Sequence, residues 1–160
     1  MKTSVTLKKL TEKFPDAVVE THSFRNDDTA IIKKEEILKI FSFLRDDPEL
    51  LYNFMMDITA VDYMGREPRF EVVYHLYSLR YNTRIRIKAR VSEADGAIDS
   101  ATSLWNSADW FEREAYDMYG IRFTGHPNLK RILLYEEFEG HPLRKDYPVK
   151  KRQPLIGPVN

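Results

Sequence analysis

The sequence predicts an α+β fold: a two-layer domain with helices packed on a mixed, mostly antiparallel sheet, followed by an extended C-terminal arm. Three observations predict it. Helix-period and strand-period apolar patterns occupy separate stretches of chain, three strand-like stretches follow one another through short connections, and turn-forming residues crowd the last quarter. The 160 residues suffice for one domain with a real core. We expect a globular unit over residues 1–120 and an arm over residues 121–160 that docks on another surface.

Leu7, Leu10 and Phe14 share one face of a short helix, which Pro15 ends. Residues 17–24, a polar turn at Asn26, Asp27 and Asp28, and residues 29–33 read as a β-hairpin. In a second helix Ile37, Ile40, Phe41 and Leu44 recur at i, i+3, i+4 and i+7. Glu35 and Glu36 fall in its first turn and Arg45 in its last, as the helix dipole prefers, and Pro48 stops it. Residues 52–63, 69–78 and 83–91 follow as three strands. Phe70, Val72, Tyr74 and Leu76 alternate with mostly polar neighbours, as do Ile85, Ile87, Ala89 and Val91, so the strands are antiparallel neighbours with one face under the helices.

A helix over residues 109–119 has well-specified ends: Asp109 and Glu112 are spaced as a reciprocal capping box, and Gly120 sits where a left-handed cap is wanted. Phe111, Ala115, Met118 and Tyr119 form its apolar face. Glu112, Arg113, Glu114 and Asp117 crowd charge elsewhere, with Arg113 and Asp117 at i, i+4. That pattern suits a solvated face or an interface ion-pair network. Acid/base catalysis or a metal site on the carboxylates is disfavoured, because no nucleophilic constellation or complete ligand set accompanies them.

From Gly120 onward lie five of the eight prolines and four of the six glycines. Such a segment loses conformational entropy on ordering without an obvious core of its own, and its Leu, Ile, Phe and Tyr content points to another surface that holds it. Gly125-His126-Pro127 recurs as Gly140-His141-Pro142 and predicts two similar chain reversals, the histidine rings serving backbone hydrogen bonds. His22 and His75 fall within strands as half-buried residues without a role.

Composition narrows the function. With 25 basic and 25 acidic side chains the formal charge is zero, so no whole-molecule field draws the chain to nucleic acid or anionic lipid. Arg84, Arg86, Lys88 and Arg90 alternate along one strand, but without the stacking aromatics of an RNA-binding sheet; they read as a solvated face partly paired with Glu71. The absence of cysteine removes disulfides, cysteine nucleophiles and thiolate ligation of zinc or iron–sulfur clusters. No stretch approaches the ~20 apolar residues of a membrane span, and residues 1–10 lack a signal-peptide core, so a soluble or peripheral protein is expected.

Read in order, Glu112-Arg113-Glu114, Asp117, Gly120-Ile121, Phe123, Gly125-His126-Pro127, Leu129, Arg131-Ile132-Leu133 and residues 139–148 resemble the signature of one family. It is the 30 kDa subunit family of NADH:quinone oxidoreductase, respiratory complex I. The matching stretch spans roughly a third of the chain; the rest agrees in size and α+β pattern. The resemblance implies a non-redox structural subunit of the peripheral arm of a proton-translocating enzyme. It also implies no self-contained active site, no cofactor bound by this chain, and FMN and iron–sulfur clusters in partner subunits. The implied partner is the large quinone-site subunit of the 49 kDa type, with other peripheral-arm subunits. The implied location is peripheral, on the cytoplasmic side of the bacterial inner membrane, reached through the complex.

The residues expected at the interface with that partner are Glu112, Arg113, Glu114, Asp117, His126, Arg131, His141, Arg144, Lys145 and Asp146. An equivalent subunit of a ferredoxin- or F420-dependent quinone oxidoreductase, or of a membrane-bound hydrogenase, is the alternative on the same scaffold. Two readings from other classes are a metal-dependent enzyme built on His126, His141 and the carboxylates, and an RNA-binding module on the Arg84–Arg90 strand.

Overall fold

The structure is a computed structural model that describes residues 4–154. Pro158 and the rest of the arm beyond Pro154 lie outside the described residues. Helix α1 (Val5–Lys13) starts at Ser4, whose hydroxyl accepts from the Leu7 N–H, and buries Leu7 and Leu10. Strands β1 (Val18–Phe24) and β2 (Asp27–Ile32) form the hairpin. Its turn is Arg25-Asn26, both at positive φ (53° and 69°), which is the two-residue geometry that matches strand twist. The polar residues Asp27 and Asp28, expected in the turn, therefore open the second strand.

Helix α2 (Ile37–Asp46) buries Ile37, Ile40, Phe41 and Leu44 on one stripe. Glu35 and Glu36 belong to a 3-10 turn (Lys34–Glu36) just before it. Strands β3 (Phe54–Asp62), β4 (Phe70–Ser78) and β5 (Thr83–Val91) form the expected antiparallel set. The five-stranded sheet runs β1-β2-β5-β4-β3, and the parallel β2–β5 pairing makes it mixed. Its helix-side face carries Phe70, Val72, Tyr74, Leu76, Ile85, Ile87 and Val91, packed with α2, Leu10 and Trp105 in one apolar core. On the other face Lys88 pairs with Glu71 at 2.8 Å, as the alternation predicts. His22 is exposed rather than half-buried, because the edge strand β1 is covered on neither side.

After β5 come β6 (Ala97–Asp99), a 3-10 turn (Ala101–Ser103), helix α3 (Ala108–Tyr119) and β7 (Arg122–Thr124). β6 and β7 pair in parallel, and Ile121 and Phe123 join the core. Regular pairing thus continues four residues past the expected boundary at residue 120. From Gly125 to Pro154 the described chain holds no helix or strand; it folds back over α3 as a strap.

Candidate functional site: the strap on helix α3

Helix α3 lies against β3, and of its charged residues Glu112, Arg113 and Asp117 are buried. The expected capping box is absent. Ser107 is the N-cap, in a helical conformation and with no side-chain cap. Glu112 turns the other way, its Oε1 accepting from the Ala101 N–H and its Oε2 meeting Ser100 Oγ, both at 2.6 Å. The carboxyl satisfies the first N–H of the 3-10 turn, a donor with no partner inside the turn, and burial is what turns it inward. Glu112 and Asp117 are both 0 % exposed and Arg113 is 9 % exposed, so the solvated-face reading of these three is overturned.

The Arg113–Asp117 pair expected at i, i+4 does not form either, because each side chain has a better partner in the strap. Arg113 donates from Nε to the Lys130 carbonyl and from Nη2 to the Arg131 carbonyl, both at 3.1 Å, while its guanidinium lies over Trp110. Asp117 is the main fastening. Its Oδ1 accepts from Arg131 Nη1 at 2.7 Å, and its Oδ2 accepts the successive N–H groups of Ile132, Leu133 and Leu134 at 2.8–3.0 Å. Burial opposes the Asp117 charge, but the Leu134 N–H, the Arg131 guanidinium and the Ile132 and Leu133 N–H groups outweigh it. They hold the carboxyl below its ordinary pKa. Arg131 also donates from Nη2 to the Phe138 and Gly140 carbonyls, at 2.8 and 3.0 Å, closing the loop between them.

The two histidines of the repeated Gly-His-Pro triplet make parallel contacts at opposite ends of α3. His126 Nε2 lies 3.1 Å from the Asp109 carbonyl, and its Nδ1 accepts from the Asn128 N–H, which fixes the ring proton on Nε2. His141 Nδ1 donates to the Asp117 carbonyl at 2.9 Å. Burial lowers the His141 pKa, keeping the ring neutral and so acting in structure at neutral pH. Both rings serve backbone bonds, as the repeat suggested. Gly120 is the left-handed cap (φ 77°), and a Cβ there would stand 2.6 Å from the His141 ring. The glycine gives the helix end its turn and leaves the strap room to cross.

The last fastening joins the strap to the sheet. Asp62 at the end of β3 and Arg69 before β4 form a buried bidentate pair, Nε to Oδ1 and Nη2 to Oδ2, each at 2.8 Å. Arg69 Nη1 donates to Glu93 at 2.7 Å and to Asp146 at 2.9 Å, and the Lys145 N–H donates to Asp62 Oδ2 at 2.8 Å. Arg144 Nε donates to the Tyr119 carbonyl at 2.7 Å, with its guanidinium over Phe70. Arg69 holds the Asp62 and Asp146 carboxyls below their ordinary pKa, and they in turn hold its guanidinium charged.

The structure thus brings together Arg113, Asp117, His126, Arg131, His141, Arg144 and Asp146, all in contacts within the chain, and places Glu112 on the far side of the same helix. The Glu114 and Lys145 side chains are exposed. Asp62, Arg69 and Glu93 escaped the sequence reading. In the sequence Asp62 and Arg69 are two charges near strand ends; the available signal is their position on either side of the Gly65–Pro68 turn, which the β3–β4 hairpin closes. Among the described residues no group of three or more His, Asp or Glu is arranged to hold a metal ion. Nor is any helix among the described residues long and apolar enough to cross a membrane.

Fold and strap together define a class: an α+β module whose charged signature binds its own C-terminal segment to one helix and one sheet corner. Residues 30–153 match the family described as respiratory-chain NADH dehydrogenase, 30 Kd subunit. The chain belongs to that family. It is 56% identical over 151 residues to the C subunit of NADH-quinone oxidoreductase from Citrifermentans bemidjiense, covering 93% of this chain and 92% of the relative. To the protein of the same name in Geobacter sulfurreducens it is 47% identical, covering 93% of each. A trypsin-resistant fragment of Nqo5 superimposes with a TM-score of 0.68 at 28% identity, over 78% of this chain and all of the fragment. A chain of an archaeal membrane-bound sulfane sulfur reductase, 24% identical, shares the fold with a TM-score of 0.74, over 90% of this chain and 84% of that one.

Proposed function

We propose that this chain is the 30 kDa-type subunit of an NADH-quinone oxidoreductase and acts as a structural, non-redox component. The observation that carries the proposal is identity of 47–56% along nearly whole chains to proteins named for that position in the enzyme. Electrons from NADH pass through FMN and iron–sulfur clusters in other subunits to quinone. A chain without cysteine supplies no thiolate for such clusters.

The contribution of this chain is geometric. The strap locks α3, β4 and its own turns into one rigid surface, and rigid placement of neighbouring subunits matters because electron and proton chemistry depends on fixed distances. Trp110 and Glu114 on α3, and Leu133, Leu143 and Val149 on the strap, remain exposed. These exposed side chains, carried by the strap and the helix it is fastened to, are where we place the contact with a partner subunit. The partner is the large quinone-site subunit, and attachment to the cytoplasmic side of the bacterial inner membrane is through the complex.

The test is to tag the chain in its host, extract membranes gently and assay the co-purifying proteins for NADH:quinone reductase activity. Recovery with flavin and iron–sulfur subunits and that activity is expected. Recovery with a hydrogenase or another electron-input module would keep the scaffold role and replace the reaction; recovery of the chain alone would sink the proposal.

A further inference from the structure

Glu112 is the buried charge of α3 that the strap does not use. Its carboxyl is completely enclosed, and among the described residues no cation pairs with it. The Ala101 N–H occupies Oε1, while Oε2 lies 2.6 Å from Ser100 Oγ. Ser100 Oγ lies 2.7 Å from Thr102 Oγ1, on a half-buried residue, so two hydroxyls lead from the carboxyl toward solvent. From β4, the Tyr74 hydroxyl is fully buried with no hydrogen-bond partner. An unpaired carboxylate in such surroundings is costly, whereas a carboxylic acid fits.

We propose that Glu112 is an internal proton-binding site, loaded and emptied through the Ser100–Thr102 hydroxyl pair. In the loaded state Glu112 Oε2–H donates to Ser100 Oγ, and Ser100 Oγ–H donates to Thr102 Oγ1. On unloading, the carboxyl proton passes to Ser100 as the Ser100 proton passes to Thr102 and the Thr102 proton leaves to water. One proton departs, a carboxylate remains, and the Ser100 hydroxyl, now carrying the proton received from Glu112, already donates to that carboxylate; loading retraces the same hops in reverse.

The surroundings put this exchange near neutrality. Burial raises the Glu112 pKa to about 7 against the opposing hydrogen bonds from Ser100 and Ala101. The charge of Asp109 on the same helix adds to burial in raising it to that value. The facing group from β4 is Tyr74, whose own pKa is raised by burial and then by the charges of Glu112 and of Asp99 from β6. Because Glu112 ties α3 to the 3-10 turn, its charge state acts on the helix that carries the strap.

The decisive experiment is a carbon-13 NMR titration of the glutamate carboxyls in the full-length chain. One carboxyl titrating near pH 7, and missing in Glu112→Gln, is expected. If no glutamate carboxyl titrates above about pH 6, against an ordinary value near 4.3, the proposal is overturned, whether or not the variant folds. Ser100→Ala is expected to move the midpoint higher by removing a bond that favours the carboxylate; an unmoved midpoint takes Ser100 out of the route. The folding equilibrium gives a second readout. A carboxyl whose folded pKa is raised loses stability as pH rises from the unfolded value to the folded one. The unfolding constant should therefore grow roughly a hundredfold from pH 5 to 8 relative to Glu112→Gln. The comparison with the variant is needed because His75 and His141, both lowered by burial, push the other way.

Discussion

Residues 4–124 and residues 125–154 stay folded by different means. In the first region helices and sheet share an apolar core around Phe41, Phe70, Tyr74 and Ile87, all completely buried. The second contributes little to that core; of its residues, Leu129 packs against it. Its order comes from side chains of the first region: Asp117, Arg113 and Asp62 satisfy one backbone group after another, and Arg69 binds the Asp146 carboxylate. The difference teaches how a segment rich in proline and glycine is ordered without a core. Buried charges whose desolvation is compensated by several hydrogen bonds each replace apolar burial, and removing one leaves several groups unpaired at once.

The largest expected effect is in the core. Phe41→Ala removes a ring that packs edge-on against both Tyr74 and Trp105 and should cost about 3–5 kcal/mol. Urea unfolding should show both regions lost in one transition at a lower midpoint, since the strap has no platform without the domain. A strap that kept its amide protection after the sheet had melted would break the proposed dependence.

Asp117→Ala should cost somewhat less, about 3 kcal/mol, and mostly in one place. It strips the acceptor from three consecutive N–H groups and from Arg131. Amide exchange should rise across residues 130–147 while β4 and β5 keep their protection. Equal loss in sheet and strap would mean that the two regions form one cooperative unit and that the contrast is only architectural.

These two substitutions also mark how much was legible in the sequence. Phe41 was recognisable because a 3.6-residue stripe and alternating strands report burial directly, and the α+β fold, α1, α2 and the β3–β5 set followed from that. Parallel pairing of β2 with β5 was not legible in detail, since it joins residues almost sixty apart, and β6 and β7 are too short to leave a periodic pattern. At the site, Asp117 and Arg113 were picked out as residues but given the wrong partners. Local spacing reveals that two charges share a helix face, yet not that a chain segment will return and compete for them. Glu112 failed for the same reason, its nonlocal partners Ser100 and Ala101 having displaced the capping box.

Acid offers a gentler way to separate the regions. Asp62, Asp117 and Asp146 all have folded pKa values below their ordinary ones. Carboxyls of this kind stabilise the fold fully above their unfolded pKa, near 3.9, and that stabilisation disappears as pH falls through the lower folded values. The strap should therefore loosen below about pH 4, seen as trypsin-type cleavage sites opening at the basic residues 144–152 after return to assay pH in a pulse experiment, or directly as exchange at Leu133 and Leu134. The core, which holds Glu112 in its protonated form under these conditions, should keep its β4–β5 protection. Simultaneous loss of both would remove the assignment of the strap to carboxylate fastenings.

The smallest effect on stability should accompany the largest on assembly. Trp110 is 60 % exposed and Leu133 is 62 % exposed, and Glu114 stands one turn beyond Trp110 on the same helix. The Leu133 and Glu114 side chains carry no strap fastening, since the Leu133 bond to Asp117 is made by its backbone N–H, so Leu133→Ser and Glu114→Ala should each change stability by no more than about 0.5 kcal/mol. If the strap exists to present this surface, the double variant should nevertheless come out of gently extracted membranes with fewer partner subunits and less NADH:quinone reductase activity. Arg144→Ala should lose assembly only together with strap order, because its side chain is spent on the Tyr119 carbonyl and Phe70. Normal assembly of the Leu133→Ser, Glu114→Ala chain would move the partner contact to another face, and the uncovered side of the five-stranded sheet, with its alternating Arg84, Arg86, Lys88 and Arg90, would be the place to substitute next.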